Sequence, residues 1–209
     1  MCQTHREVAM GFTQEKFPAG THMCLIYSDD TERRSIISRF LEAGLSSREK
    51  VDYFADTASP DEVRSWLVEP GVDPGRDGRG DQFSVSVAAD TYCPRGKFLP
   101  EEMLDKLGRY GRQCAGEGYP SARVSGEMSW AVRGIPGSER LMEYEALVSD
   151  VLATHAVTAV CQYDANRFSG AVLLDVLKVH PMMIVHGQIV RNPYYMRPGL
   201  FLKDFRQRE

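Results

Sequence analysis

The sequence predicts an α/β fold in three layers: a mainly parallel central sheet, helices on both faces, and an antiparallel hairpin added at one edge near the C-terminus. Two observations predict it. Apolar runs of strand length alternate along the chain with amphipathic segments of helical length, the pattern that βαβ crossovers leave in a sequence. Near the end, Met182-Met183-Ile184-Val185 and Gln188-Ile189-Val190 flank His186-Gly187, which reads as two short strands joined by a tight turn. Composition sets the scale: 209 residues, 43% apolar and 26% charged, make one ordinary globular domain able to bury a core without disulfides.

Residues 1–16 are mixed and polar and are expected to form a flexible N-terminal arm. A single domain is expected over 17–203, with a short tail at 204–209. His22-Met23-Cys24-Leu25-Ile26-Tyr27 has the length and apolarity of a buried strand. Asp29 with Glu32 reads as the capping box of the helix behind it, whose stripe is Ile36, Ile37, Phe40 and Leu41. Gly44 is expected to stop that helix in a left-handed turn. The second strand is 50–55. Ser59-Pro60-Asp61-Glu62 opens the next helix, with Val63, Trp66 and Leu67 as its stripe and Pro70-Gly71 as its end. A loop rich in Gly, Asp and Arg covers 71–81, and 82–87 alternates with period two, as a strand near the sheet edge does. A loop over 88–98 leads to a helix opened by Pro100-Glu101-Glu102, and 122–128 is the fourth strand. Leu141, Tyr144, Val148, Val151 and Leu152 stripe a long helix after Ser138. The fifth strand is 157–163, and 169–179 is a helix so apolar all round that it is expected to be buried.

Composition also narrows the function. The cysteines (Cys2, Cys24, Cys93, Cys114 and Cys161) are odd in number, and no two have a CxxC or zinc-ribbon spacing, which suits a reducing compartment. With no secretory core near Met1 and no apolar run of membrane-spanning length, a cytoplasmic protein without a membrane partner is expected. A pI near 5.8 with a formal charge of −4 speaks against direct nucleic-acid binding. The Gly96-Lys97 pair is followed by Phe98 and does not leave a strand, so there is no phosphate loop. The first strand-to-helix turn reads Tyr27-Ser28-Asp29-Asp30, whose carboxylates would repel a triphosphate; no ATPase activity is expected. Dinucleotide fingerprint, nucleophile elbow and metalloprotease helix are all missing, and no cofactor or metal is assigned.

In such sheets ligands bind beyond the carboxyl ends of the strands. The residues there include Tyr27, Ser28 and Asp29 after the first strand, Glu127 and Trp130 after the fourth, and Tyr163, Asp164 and Arg167 after the fifth. Glu127 and Trp130 are expected to line one partly apolar pocket beside Tyr27 and Tyr163. Arg123 lies on the same strand face as Glu127, and a guanidinium keeps its charge, so an Arg123–Glu127 pair is expected at the pocket floor. The same two residues also read as a bridge that only ties strand to helix. Asp164 reads either as part of the site or as a helix cap. His22 and Cys24 alternate on one strand face, where a metal could bridge them, against the plainer reading of core-facing residues. His180 before Pro181 is expected to bond the last helical carbonyls, and Cys161 to be an inert buried thiol.

Six segments, in this order, resemble the MEDS domain, the methanogen/methylotroph sensory domain: His22 to Tyr27, Arg123 to Trp130, Tyr144-Glu145, Cys161-Gln162-Tyr163-Asp164, His180-Pro181, and Asn192-Pro193-Tyr194-Tyr195. They span about residues 20–202. The resemblance implies a RecA/KaiC-like core without its phosphate loop, and a sensory role for a small, hydrocarbon-derived ligand. It also implies a protein partner of the regulator, kinase-like or anti-sigma kind. Only a short stretch follows Tyr195, so output is expected to pass through another polypeptide, with a homodimer as one arrangement.

The first reading is therefore a stand-alone ligand sensor in transcriptional or stress signalling. An enzyme using Glu127, Asp164 and His180 as acid–base groups is the alternative, although no nucleophile–base pair is assembled in the sequence. A scaffold with a vestigial nucleotide site is the third.

Overall fold

The computed structural model describes residues 6–68 and 81–208. Its centre is a seven-stranded sheet built from β3 (His22–Tyr27), β4 (Lys50–Ala55), β5 (Phe83–Val87), β6 (Ala122–Glu127), β7 (Val157–Asp164), β8 (Met182–Val185) and β9 (Gln188–Arg191). The order is β5-β4-β6-β7-β3-β8-β9, parallel throughout except for the β8–β9 hairpin at one edge. The hairpin turn takes positive φ at His186 (46°) and Gly187 (69°), as a two-residue turn matched to strand twist requires. The α/β class, the parallel sheet and the edge hairpin are thus as the sequence predicts.

Two apolar layers cover the sheet. On one face lie α1 (Asp30–Ser46) and α2 (Pro60–Val68), whose Ile36, Ile37, Phe40, Leu41, Val63 and Leu67 pack on Met23, Leu25, Val51, Tyr53 and Val160. On the other lie α3 (Ala88–Tyr92), α4 (Pro100–Gly116), α5 (Leu141–His155), α6 (Gly170–Val179) and α7 (Pro198–Arg206). Asp29 caps α1 by accepting from the Thr31 N–H at 2.8 Å. Ser59 and Glu62 cap α2 reciprocally: Ser59 Oγ accepts from the Glu62 N–H, and Glu62 Oε2 accepts from the Ser59 N–H.

The structure corrects the sequence reading in five places. From residue 7 the expected flexible arm is an antiparallel hairpin, β1 (Glu7–Ala9) with β2 (Lys16–Pro18), because Val8 and Met10 bury fully against α1. Gly44 does not end α1. It lies inside the helix, where a Cβ would stand 2.5 Å from Arg123 Cδ, and the left-handed residue is Arg48 (φ 58°). Helix α3 begins directly after β5, inside the segment expected to be a loop. Helix α6 is buried only along Asp175, Val176 and Val179, and Leu174 is exposed, since its apolar circumference exceeds what α5 and α7 cover. The expected domain end at 203 falls inside α7, and Arg208 beyond it pairs with Asp175 at 3.0 Å. The loop reading over 71–80 and Pro70-Gly71 lies outside the described residues.

Candidate functional site

Of the residues of β6 and β7 on the α1 side, all but Val160 are polar although fully buried: Arg123, Ser125 and Glu127 on one strand, Thr158 and Gln162 on the next. Such groups must find partners inside the protein. At the carboxyl end they do so around Glu127. Its Oε1 accepts from the Tyr53 hydroxyl at 2.6 Å and Arg33 Nη1 at 3.2 Å. Its Oε2 accepts from the Thr57 N–H and hydroxyl, both at 2.5 Å, and from the Asp56 N–H at 3.2 Å. Arg33 Nη1 also donates to Gln162 Oε1 at 3.0 Å, and Gln162 Nε2 donates to Ser125 Oγ at 2.8 Å. Burial, reinforced by the Glu127 charge, pushes the Tyr53 hydroxyl well above the usual phenol range. Five donors use the acceptor sites of one carboxylate, so Glu127 fastens the β4–α2 turn and α1 to the sheet.

A cleft of about 260 Å³ opens above this network, lined by Tyr27, Ser28, Asp30, Arg33, Arg34, Thr57, Ala58, Asp164, Asn166 and Arg167. Arg33 lies over the Tyr27 ring at 5.2 Å and the Trp66 ring at 5.3 Å. Arg167 reaches back to Asp164 at 3.4 Å. Asp164 also accepts from the Asn166 N–H, while Ser169 caps α6, so the helix-cap reading of Asp164 is set aside. A second cavity of about 270 Å³ adjoins the cleft and shares Tyr27 and Ser28 with it. Leu25, Ile26, Leu177, Met183, Ile184 and Val185 give it an apolar wall.

Of the expected site residues, Tyr27, Ser28, Asp164 and Arg167 line the cleft. Glu127 lies beneath it, enclosed rather than presented. Asp29 is exposed and spent on the α1 cap. Trp130 is a correction: it is fully buried on the opposite face, stacked on Tyr92 at 4.9 Å and packed on Phe98 at 4.9 Å. Tyr163 also turns to that face and donates to Glu145 Oε1 at 2.9 Å. The Arg123–Glu127 pair does not form. Four residues of strand separate the two by about 13 Å, and Arg123 pairs instead with Glu49 at the other end of β6, donating as well to the Phe40 carbonyl at 2.6 Å. With Glu127 saturated on one face and His180 on the other, the proposed acid–base trio does not converge on one substrate.

Sequence reading missed Arg33, Tyr53 and Gln162 as site residues. Arg33 had a signal, since it precedes Ile36, Ile37 and Phe40 at the i+3, i+4 and i+7 spacing that marks a buried stripe. His22 does not meet Cys24. It meets Glu145, Cys161 and His180, all buried. Burial, then the neighbouring His180, pulls the His22 pKa down to about 4. Burial alone would raise the Glu145 carboxyl, yet the two imidazoles beside it hold it well below the usual carboxylate range.

The turn after β3 does not fit a nucleoside triphosphate. Asp29 caps α1, Asp30 pairs with Arg33 at 2.7 Å, and no glycine amides form a cradle there. Calorimetry with magnesium and ATP is expected to give no binding heat at micromolar affinity; magnesium-dependent binding would overturn this.

Fold and cleft together define a RecA/KaiC-like α/β domain that has no phosphate loop and keeps a cleft at the strand ends. The chain belongs to the MEDS family, the methanogen/methylotroph, DcmR sensory domain, whose model matches residues 21–181. It is 26% identical over 160 residues to the transcriptional repressor DcmR of Methylorubrum extorquens (strain DSM 6343 / CIP 106787 / DM4). That match covers 76% of this chain and 57% of the repressor, so the chain spans little more than half of its curated relative. In fold it is similar to the crystal structure of a KaiC-like protein from the hyperthermophilic archaeon Pyrococcus horikoshii OT3, with a TM-score of 0.61 at 14% identity, covering 87% of this chain and 80% of the other. A sensory role follows from the family. Among the described residues, no helix is long and apolar enough to cross a membrane.

Proposed function

We propose that this sensory domain binds a small, hydrocarbon-derived molecule at the carboxyl ends of β3 and β7 and passes the signal to a partner protein in transcriptional regulation. What carries the reading is the pair of adjoining cavities that share Tyr27 and Ser28. The one between β3, β8 and α6 has an apolar wall that suits a hydrocarbon body, with Ser28, Glu32 and His186 also lining it, and the cleft offers Arg34 and Arg167 to a polar end. Cavities of this size take a small ligand, below the range of drug-sized molecules. Ligand contact with Tyr27 or Arg33 would be felt in α1 and the β4–α2 turn, which Glu127 ties to the same network.

The test is a thermal-shift screen of short-chain alcohols, aldehydes, acids and halogenated hydrocarbons, with calorimetry on the hits. A ligand at 100 times its Kd raises stability by about 2.7 kcal/mol, a shift of several degrees. Arg167→Ala removes one charged donor, worth about 1.5–3 kcal/mol, and should weaken a polar ligand roughly ten- to a hundredfold while moving the unliganded Tm little. Hits that bind Arg167→Ala and Tyr27→Ala as tightly as the parent protein would place the ligand elsewhere and overturn the reading.

A further inference from the structure

The face of the sheet opposite the cleft holds the other buried polar cluster. His22 comes from β3, Glu145 from α5, Cys161 from β7, and His180 directly follows α6. All four are buried, and one ligand atom from each lies within 4.8 Å of the others. We propose that these four side chains form a tetrahedral site for a divalent transition metal, best suited to zinc.

Geometry is the first support. Zinc bonds of about 2.0–2.1 Å to nitrogen and oxygen and about 2.3 Å to sulfur, at tetrahedral angles, set ligand atoms about 3.3–3.6 Å apart. His22 Nε2 lies 3.3 Å from Glu145 Oε2, and His180 Nε2 lies 3.4 Å from the same oxygen. Cys161 Sγ lies 3.4 Å from His22 Nε2 and 3.6 Å from Glu145 Oε2. Four of the six edges therefore already have the length a bound ion would impose. The other two, both to His180, stay within 4.8 Å.

The outer contacts point the same way. His180 Nδ1 lies 2.8 Å from the Val176 carbonyl, which only accepts, so Nδ1 carries the hydrogen and Nε2 turns a lone pair into the cluster. That Nε2 has no hydrogen-bond partner although it is buried. His22 Nδ1 has the Ser149 hydroxyl at 2.9 Å, and Glu145 Oε1 is held by Tyr163, which leaves Oε2 for the ion. Ligands oriented by such second contacts are how proteins fix histidine and carboxylate around a metal. Charge closes as well: among the described residues no arginine or lysine pairs with Glu145. A dication, one carboxylate and one thiolate sum to zero. The Cys161 proton leaves to solvent when the sulfur–metal bond forms.

With four protein ligands the site is closed, which is the structural rather than the catalytic kind. It would tie α5 and the α6–β8 junction to the sheet centre, independently of the small-molecule cleft.

The test uses the full chain. Metal content as purified is read by plasma mass spectrometry, and chelator-treated protein is titrated with Co²⁺ and with Zn²⁺. One equivalent per chain is expected, with the intense visible bands of tetrahedral cobalt, a near-ultraviolet thiolate charge-transfer band, and a Tm several degrees above the chelated protein. Cys161→Ser should lose the charge-transfer band, and His180→Ala should weaken affinity at least tenfold. Cys24→Ser, a buried thiol outside the set, should change neither. If a variant fails to fold, the parent titration still decides. No stoichiometric binding by the folded parent chain, binding without the sulfur signature, or affinity untouched by both ligand changes would overturn the proposal.

Discussion

Trp130→Ala is expected to destabilise the domain by about 3–5 kcal/mol, as loss of a large buried side chain does. The indole is fully buried, stacked nearly parallel to Tyr92 (interplanar angle 20°) and tilted against Phe98, with Tyr144 edge-on to both of those rings. Removing it opens a cavity in the apolar layer that also holds Tyr92, Phe98 and Tyr144. Urea unfolding followed by circular dichroism measures the change. The sharper point is what should stay constant. Trp130 belongs to the layer on the face opposite the cleft. At temperatures where the variant is folded, affinity for any cleft ligand should equal that of the parent protein. A folded Trp130→Ala protein that has lost ligand binding would return Trp130 to the site and displace the cleft.

The fold was legible in the sequence because its signals are local. Apolar runs, the N-cap at Asp29, the capping box at Ser59 and the His186-Gly187 turn each act over a few residues, and the structure uses them; Glu32, expected to complete a box with Asp29, lies 3.7 Å from His186 instead. The site was half legible for a related reason. Strand ends predict where a cleft opens, and Tyr27, Ser28, Asp164 and Arg167 line one there. Which face a strand-end side chain takes depends on the two-residue pleat and on what the helices bring, and Trp130 and Tyr163 went to the other side. Arg33 and Glu145 lie within buried helical stripes, one turn before Ile36 and Ile37 in one case and beside Tyr144 and Val148 in the other. A charge in a buried stripe announces a buried partner without naming it. The partners, Glu127 for one and His22 with His180 for the other, are far away in the chain and follow only from strand order.

Arg123 shows the same lesson as a measurable effect. Its guanidinium is enclosed, paired with Glu49, and donates to the Phe40 carbonyl, while Ser121 donates to the other Glu49 oxygen at 2.6 Å. Burial pulls the Arg123 pKa down and the Glu49 charge works against that. Helix α1 passes so close that only Gly44 fits over the arginine stem. Arg123→Met keeps the stem and removes the charge, which leaves Glu49 buried without a cation. Breaking a buried pair from one side typically costs about 3–5 kcal/mol, and Arg123→Met should fall in that range. Glu49→Gln should also be costly, because it strands the guanidinium, which cannot shed its proton. The double change removes both charges and should cost much less than the sum of the single ones, giving a coupling energy of 2 kcal/mol or more, on the order expected for groups in one buried network. Glu127→Gln combined with Arg123→Met should instead be additive, since those residues sit in separate networks at opposite ends of β6. Unfolding free energies of the six proteins decide it. Two mild, additive changes at Arg123 and Glu49 would mean that water reaches the pair and that the sheet is held at this end by packing alone.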